Sequence, residues 1–226
     1  TKENNTEIEI ISVEKGSLIA TLSVAAMIIG GVIKASDKIM DLILIPAFTT
    51  DDMQQTIQAK ILNQAAVLFN RGIACDNMLH WAKSVKSGDP DNYEGRAAAY
   101  YWKNVFPKKL DFFRGREGDP PNNLLNYGYA ILRAIVARGI VSSGLIPTLG
   151  IHHKNKYNAY CLADDVMEPY RPFVDQIVLK IIDNGENFLE LSSAIKSQLL
   201  NIASVDVSFE RGTSPLMVGV QYTTAS

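Results

Sequence analysis

The chain has 226 residues, 47% hydrophobic and 20% charged, which is enough to bury a real core and excludes a disordered tail. A net charge of -2 and a pI near 5.9 exclude a whole-chain basic signature, so any polyanion must be met by a local patch. Two widely separated cysteines, Cys75 and Cys161, exclude a disulfide framework and a cysteine zinc site, and they fit a reducing cytosol.

Residues 1–48 begin with the polar TKENNTE and mix strand-like pieces around Ile8, Ile10 and Val13 with an apolar run over 18–33. That run is shorter than the ~20 residues of a membrane span, and Thr21, Ser23 and the Gly30-Gly31 pair interrupt it. It is expected to form buried strands or a core helix; no basic start of a signal peptide precedes it, and no membrane association is expected.

Pro46 and the polar stretch over 49–52 mark a boundary. Beyond it Met53, Ile57, Ile61, Ala65, Leu68 and Phe69 recur at three- and four-residue spacing, predicting an amphipathic helix that ends at Gly72. Asp76 is placed to cap a second helix reaching about Lys86, with His80 expected to be a packed structural residue. After a turn over 87–91, DPDNYEGRAAAYYWKNVF predicts a helix with Glu94 in its first turn, stopped by Phe106-Pro107. An acid there is either a complement to the helix dipole or a ligand supplied from a separate helix.

The loop over 108–122 interleaves Lys108, Lys109, Arg114 and Arg116 with Phe112 and Phe113, which suits either DNA contact or an ordinary surface loop whose phenylalanines tuck onto the core. Residues 123–138 predict a long apolar helix at the centre of a bundle. No Asp or Glu occurs between Pro120 and Ala163, whereas Arg133, Arg138, Lys154 and Lys156 do, so positive charge gathers just ahead of the acids that follow.

The chemistry converges on residues 148–175, where adjacent His152 and His153 precede Asp164, Asp165 and Glu168. Imidazole nitrogen and carboxylate oxygen suit Mn²⁺ or Mg²⁺. If 162–167 is helical, Glu168 shares a face with Asp165 or Asp164; alternatively the acids simply face water at a helix start. Pro169 and Pro172 predict a kink that aims Glu168 and Arg171. An apolar helix then runs to Asn184-Gly185 and a shorter one covers 194–203, while 205–226 carries no readable motif.

GIHH, the spaced Asn155 and Asn158, CLADDVMEPYRPFVD, EGRAA followed by aromatics, and NNLLNYGYAILRA together resemble the CRISPR-associated Cas-one integrase and endonuclease family over most of 53–202, especially its type II, II-C-like branch. The resemblance implies a mainly α catalytic domain over 49–226 preceded by a small β-containing domain, here short or divergent, over 1–48. It implies that Glu94, His153 and Glu168 are catalytic and hold Mg²⁺ or Mn²⁺, with Asp165 a further ligand or a carboxylate behind them; the family's spacing selects His153 over His152 and Asp165 over Asp164. DNA contacts are expected from Arg114, Arg116, Arg133, Arg138, His152, Lys154, Lys156 and Arg171.

The implied reaction is insertion of a short DNA fragment (a prespacer) into a CRISPR leader and repeat by attack of a 3′-hydroxyl on a phosphodiester. The implied partners are DNA, a second copy of the chain, the small Cas-two protein and other type II CRISPR proteins, in the prokaryotic cytoplasm. Two other readings use the same residues: a stand-alone metal-dependent endonuclease on branched DNA, and a non-catalytic DNA-binding scaffold.

Overall fold

The computed structural model describes residues 53–151, 153, 155–209 and 212–225. The expected N-terminal domain over 1–48 lies outside these residues, as do His152 and Lys154.

The expected helix after the polar boundary is α1, Met53–Asn70, and it turns Ile57, Ile61, Ala65 and Leu68 into the core. Its chain reverses at Gly72, whose φ of +70° is a conformation in which a side chain is strained. Helix α2, Asp76–Ser84, follows; Asp76 lies in its first turn rather than at the cap, which is Cys75. His80 is exposed on this helix, not packed, because the inward face is taken by Met78 and Ala82.

Helix α3, Tyr93–Val105, is started by two side chains. Asn92, in the left-handed region, accepts from the Gly95 N–H, and both Asp89 carboxylate oxygens accept from Tyr93 N–H and Glu94 N–H at 2.9 Å. These bonds satisfy donors that a helix start leaves open and fix where Glu94 leaves the backbone. Trp102, Phe106 and Phe112 then pack together, with Phe106 and Phe112 centroids 4.5 Å apart, while Phe113 faces solvent; only one of the loop's two phenylalanines tucks in.

The central helix α4, Asn122–Ser142, is longer at both ends than its apolar periodicity suggested. Among the described residues it alone is long and apolar enough to cross a membrane by length and composition, yet it packs inside the bundle. Helices α5, Cys161–Val166, and α6, Arg171–Asp183, are joined by a single 3-10 turn over Glu168–Tyr170, so the two prolines re-aim the chain without ending the helical path. At Gly128 of α4 a Cβ would run into the Val174 side chain of α6, so the close approach of these helices depends on that glycine.

Helix α7, Ser193–Leu200, is capped by Ser192, whose side chain accepts from the Ile195 N–H. The C-terminal stretch that carried no motif forms a hairpin, β1 Asp206–Phe209 antiparallel to β2 Gly212–Pro215, and helix α8, Leu216–Ala225. Val207, Leu216 and Val220 join the core, and the Tyr170 and Thr223 hydroxyls lie 2.6 Å apart. The described part of the chain is thus mainly α, with one two-stranded sheet.

Candidate active site

Helix α1, the start of α3, the loop after α4, helix α5 and the 3-10 turn form a pocket of about 270 Å³ lined by Thr56, Ile57, Lys60, Glu94, His153, Asp165 and Glu168. The α3 start and, some sixty residues on, the loop and 3-10 turn that carry His153 and Glu168 therefore bring Glu94, His153 and Glu168 to one place. The core makes this possible: Thr56 and Lys60, four residues apart on α1, share a helix face with the pocket, while Ile61, Ala65 and Leu68 anchor the same helix in the core.

His153 is held by Asp165. The Asp165 side chain is almost fully buried and accepts from the Ile151 N–H at 2.6 Å and from the His153 N–H at 3.3 Å. Its Oδ1 also lies 2.5 Å from His153 Nδ1. A carboxylate engaged with one ring nitrogen orients the imidazole and directs any ligand role to the other, so His153 would ligate through Nε2. Gly150 is required beneath this turn: a Cβ there would strike the His153 carbonyl oxygen and Cys161 Cβ.

Asp164, by contrast, is not among the residues lining the pocket, and it accepts from Asn158 Nδ2 at 2.7 Å. Asn155 and Asn158 brace the loop through their own side chains, accepting from Tyr157 N–H and Tyr160 N–H. The two acids that sequence spacing left as alternatives are thereby separated by their partners.

Lys60 is the pocket residue that sequence reasoning missed. Its Nζ lies 2.6 Å from Glu94 Oε1 and 2.6 Å from Glu168 Oε2, and Glu168 Oε1 faces Arg171 Nε at 2.9 Å. Burial works against the Glu168 carboxylate, but Lys60 and then Arg171 and His153 outweigh it and hold this carboxyl below the usual carboxylate range. Burial likewise disfavours the Lys60 ammonium, and Glu168 and Glu94 more than compensate, so its pKa is raised. A signal existed: Lys60 is a cation between Ile57 and Ile61 on a helix whose other inward residues are apolar or neutral.

As they stand, no three His, Cys, Asp or Glu side chains among the described residues are grouped tightly enough to hold an ion. The donor set nonetheless fits a hard or borderline divalent cation: two carboxylates already share one positive charge, and an oriented imidazole lines the same pocket.

The basic residues divide into groups. Arg114 donates to Gly115 O, Asn122 Oδ1 and Asn126 Oδ1, and its guanidinium lies over the rings of Trp102 and Tyr129, so it orders the loop from within. Arg171 reaches the pocket through Glu168 and lies 5.0 Å over Tyr129. Arg116, Arg138 and Lys156 are exposed, and Arg133 is half-buried with its guanidinium 5.2 Å over Tyr160. None of these six lines the pocket itself.

A second buried group was not foreseen. Asp175 on α6 accepts from the hydroxyls of Tyr101 and Tyr129, on α3 and α4. Burial pushes its carboxyl up to about 6, although the two tyrosines and Arg171 and Arg114 draw it down.

The sequence model described as CRISPR associated protein Cas1 matches residues 40–190. A CRISPR-associated endonuclease Cas1 of Neisseria meningitidis is 38% identical over 160 residues, covering 70% of this chain and 52% of that protein. A second, from Francisella tularensis subsp. novicida, is 33% identical over 165 residues, covering 64% and 52%. Among solved structures, a casposase bound to integration product superposes with a TM-score of 0.62 and 26% identity, over 76% of this chain and 57% of that one. The chain spans about half the length of the curated relatives it matches. With a family match across two-thirds of its length, over the residues that build the pocket, this chain belongs to the CRISPR-associated Cas1 family.

Proposed function

We propose that this chain is the helical catalytic part of a DNA integrase and endonuclease of CRISPR adaptation, on the type II, II-C-like branch that the identity with the Neisseria protein supports. It joins the 3′-hydroxyl of a short DNA fragment to a phosphodiester of the CRISPR leader and repeat. The observation that carries this reading is the convergence of Glu94, His153 and Glu168 on one pocket; the likeness to a casposase bound to integration product supports it.

Glu94, Glu168 and His153 Nε2 would hold Mn²⁺ or Mg²⁺, and that ion, when bound, withdraws charge from the phosphate under attack. Asp165 orients His153 rather than ligating beside it, since its oxygens already serve His153 Nδ1 and the Ile151 N–H. Arg171, after Lys60, offsets the burial of Glu168 and helps hold its carboxyl below the ordinary range. Arg116, Arg138 and Lys156, all exposed, would meet a DNA backbone, and Arg133, His152 and Lys154 complete the proposed contact set. The working assembly includes a second copy of the chain and the small Cas-two protein, acting in the prokaryotic cytoplasm.

The test compares a fragment ending in a 3′-hydroxyl with one ending in a 3′-deoxy sugar, in Mn²⁺ or Mg²⁺, with the Cas-two partner and a repeat-bearing plasmid. Joining of the first fragment and not the second is the expected result. Cutting of branched DNA with no joining of either would replace integration by stand-alone endonuclease activity, and DNA binding with neither reaction would leave a scaffold.

A further inference from the structure

The charge at the centre of the pocket belongs to Lys60. Its side chain is 15% exposed, and its ammonium bridges one oxygen of Glu94 and one of Glu168 at 2.6 Å each. These two carboxylates come from α3 and from the 3-10 turn, so the lysine on α1 ties together the two acids on which the metal reading of the site, and hence this inference, rests. Two carboxylates converging in a partly closed pocket repel one another unless a cation lies between them. An ion liganded by both would need the place the ammonium fills.

We infer that Lys60 is a resident counter-cation: it holds Glu94 and Glu168 close together before metal arrives and is displaced from between them when a divalent ion binds. Lys60 is thus a positioning residue, acting through the two glutamates. Its ammonium lowers metal affinity by the fraction of molecules in which it occupies the site, because an ion binds only the remainder. In exchange, the pocket keeps its two acids together while the ion is absent.

The test is direct Mn²⁺ binding without DNA, followed by calorimetry on the wild-type chain and on Lys60→Met, which keeps an unbranched chain one atom shorter and removes its charge. Lys60→Met is expected to bind Mn²⁺ at least about tenfold more tightly. A second measurement needs no variant: acetylation of wild-type Lys60, read by mass spectrometry, should rise several-fold at saturating Mn²⁺, while exposed Lys83 stays constant as the reference. Equal or weaker Mn²⁺ affinity of Lys60→Met, or Lys60 acetylation unchanged at Mn²⁺ concentrations that calorimetry shows to be saturating, overturns the inference and leaves the metal reading intact. No Mn²⁺ binding by either protein overturns the metal reading and the inference with it.

Discussion

On the proposed reading Asp165 acts on the metal site only through His153. It binds the His153 ring and the backbone that carries it, so Asp165→Asn keeps the size of the side chain but exchanges one acceptor oxygen for a donor. Loss of such a partner costs a metal site about 10–100-fold in affinity, and Mn²⁺ calorimetry of Asp165→Asn should read a weakening of that order. Asp164→Asn should leave Mn²⁺ affinity unchanged, because Asp164 serves the loop through Asn158. At this scale spacing and a known pattern singled out Glu94, His153 and Glu168, which the structure gathers at one pocket. Lys60 carried only a weak signal, its place between Ile57 and Ile61, because a lysine within a helix is ordinarily a solvated residue and nothing local marks the two acids that wait for it across the fold.

The elements were read well where their signals are local. Gly72, Phe106-Pro107 and Asn184-Gly185 end helices at the expected places, since a turn residue or a missing donor acts on its own neighbours. The hairpin and α8 escaped notice because their strands are four residues each and their packing partners, such as Tyr170 for Thr223, lie some fifty positions away. Close helix contacts are equally invisible in sequence: Gly128 reads as a mild weakness of α4, yet it makes room for Val174. Gly128→Ala should therefore destabilise despite alanine's better helix propensity of ~1 kcal/mol, because overpacking a rigid β-branched neighbour costs about 1–3 kcal/mol. A fall in Tm of a few degrees is expected by calorimetry; an increase would mean that α4 and α6 part easily.

Across the molecule, the buried Asp175 joins α3, α4 and α6 through two tyrosine hydroxyls, and it couples folding to pH. Its folded pKa of about 6 lies above the ordinary 3.8, so the folded state takes up the proton more readily. That contribution to stability is fully present below pH ~4 and is lost as pH rises through 6, a change of about 3 kcal/mol. Glu168, with its carboxyl lowered, acts in the opposite sense: its contribution is present above the ordinary glutamate range and is lost as pH falls through its folded value. Urea unfolding of wild type minus Asp175→Asn, between pH 4 and 7, isolates the first effect, and a difference independent of pH would refute it. The pocket joining α1, α3 and the 3-10 turn is the proposed place where DNA is joined. The most direct test of that proposal is the integration assay with the Cas-two partner and Mn²⁺, run on wild type and on Glu168→Gln and Glu94→Gln chains that bind DNA normally. Joining should fall about a thousandfold or more in either variant, whereas joining at the wild-type rate in both would place the chemistry elsewhere in the assembly.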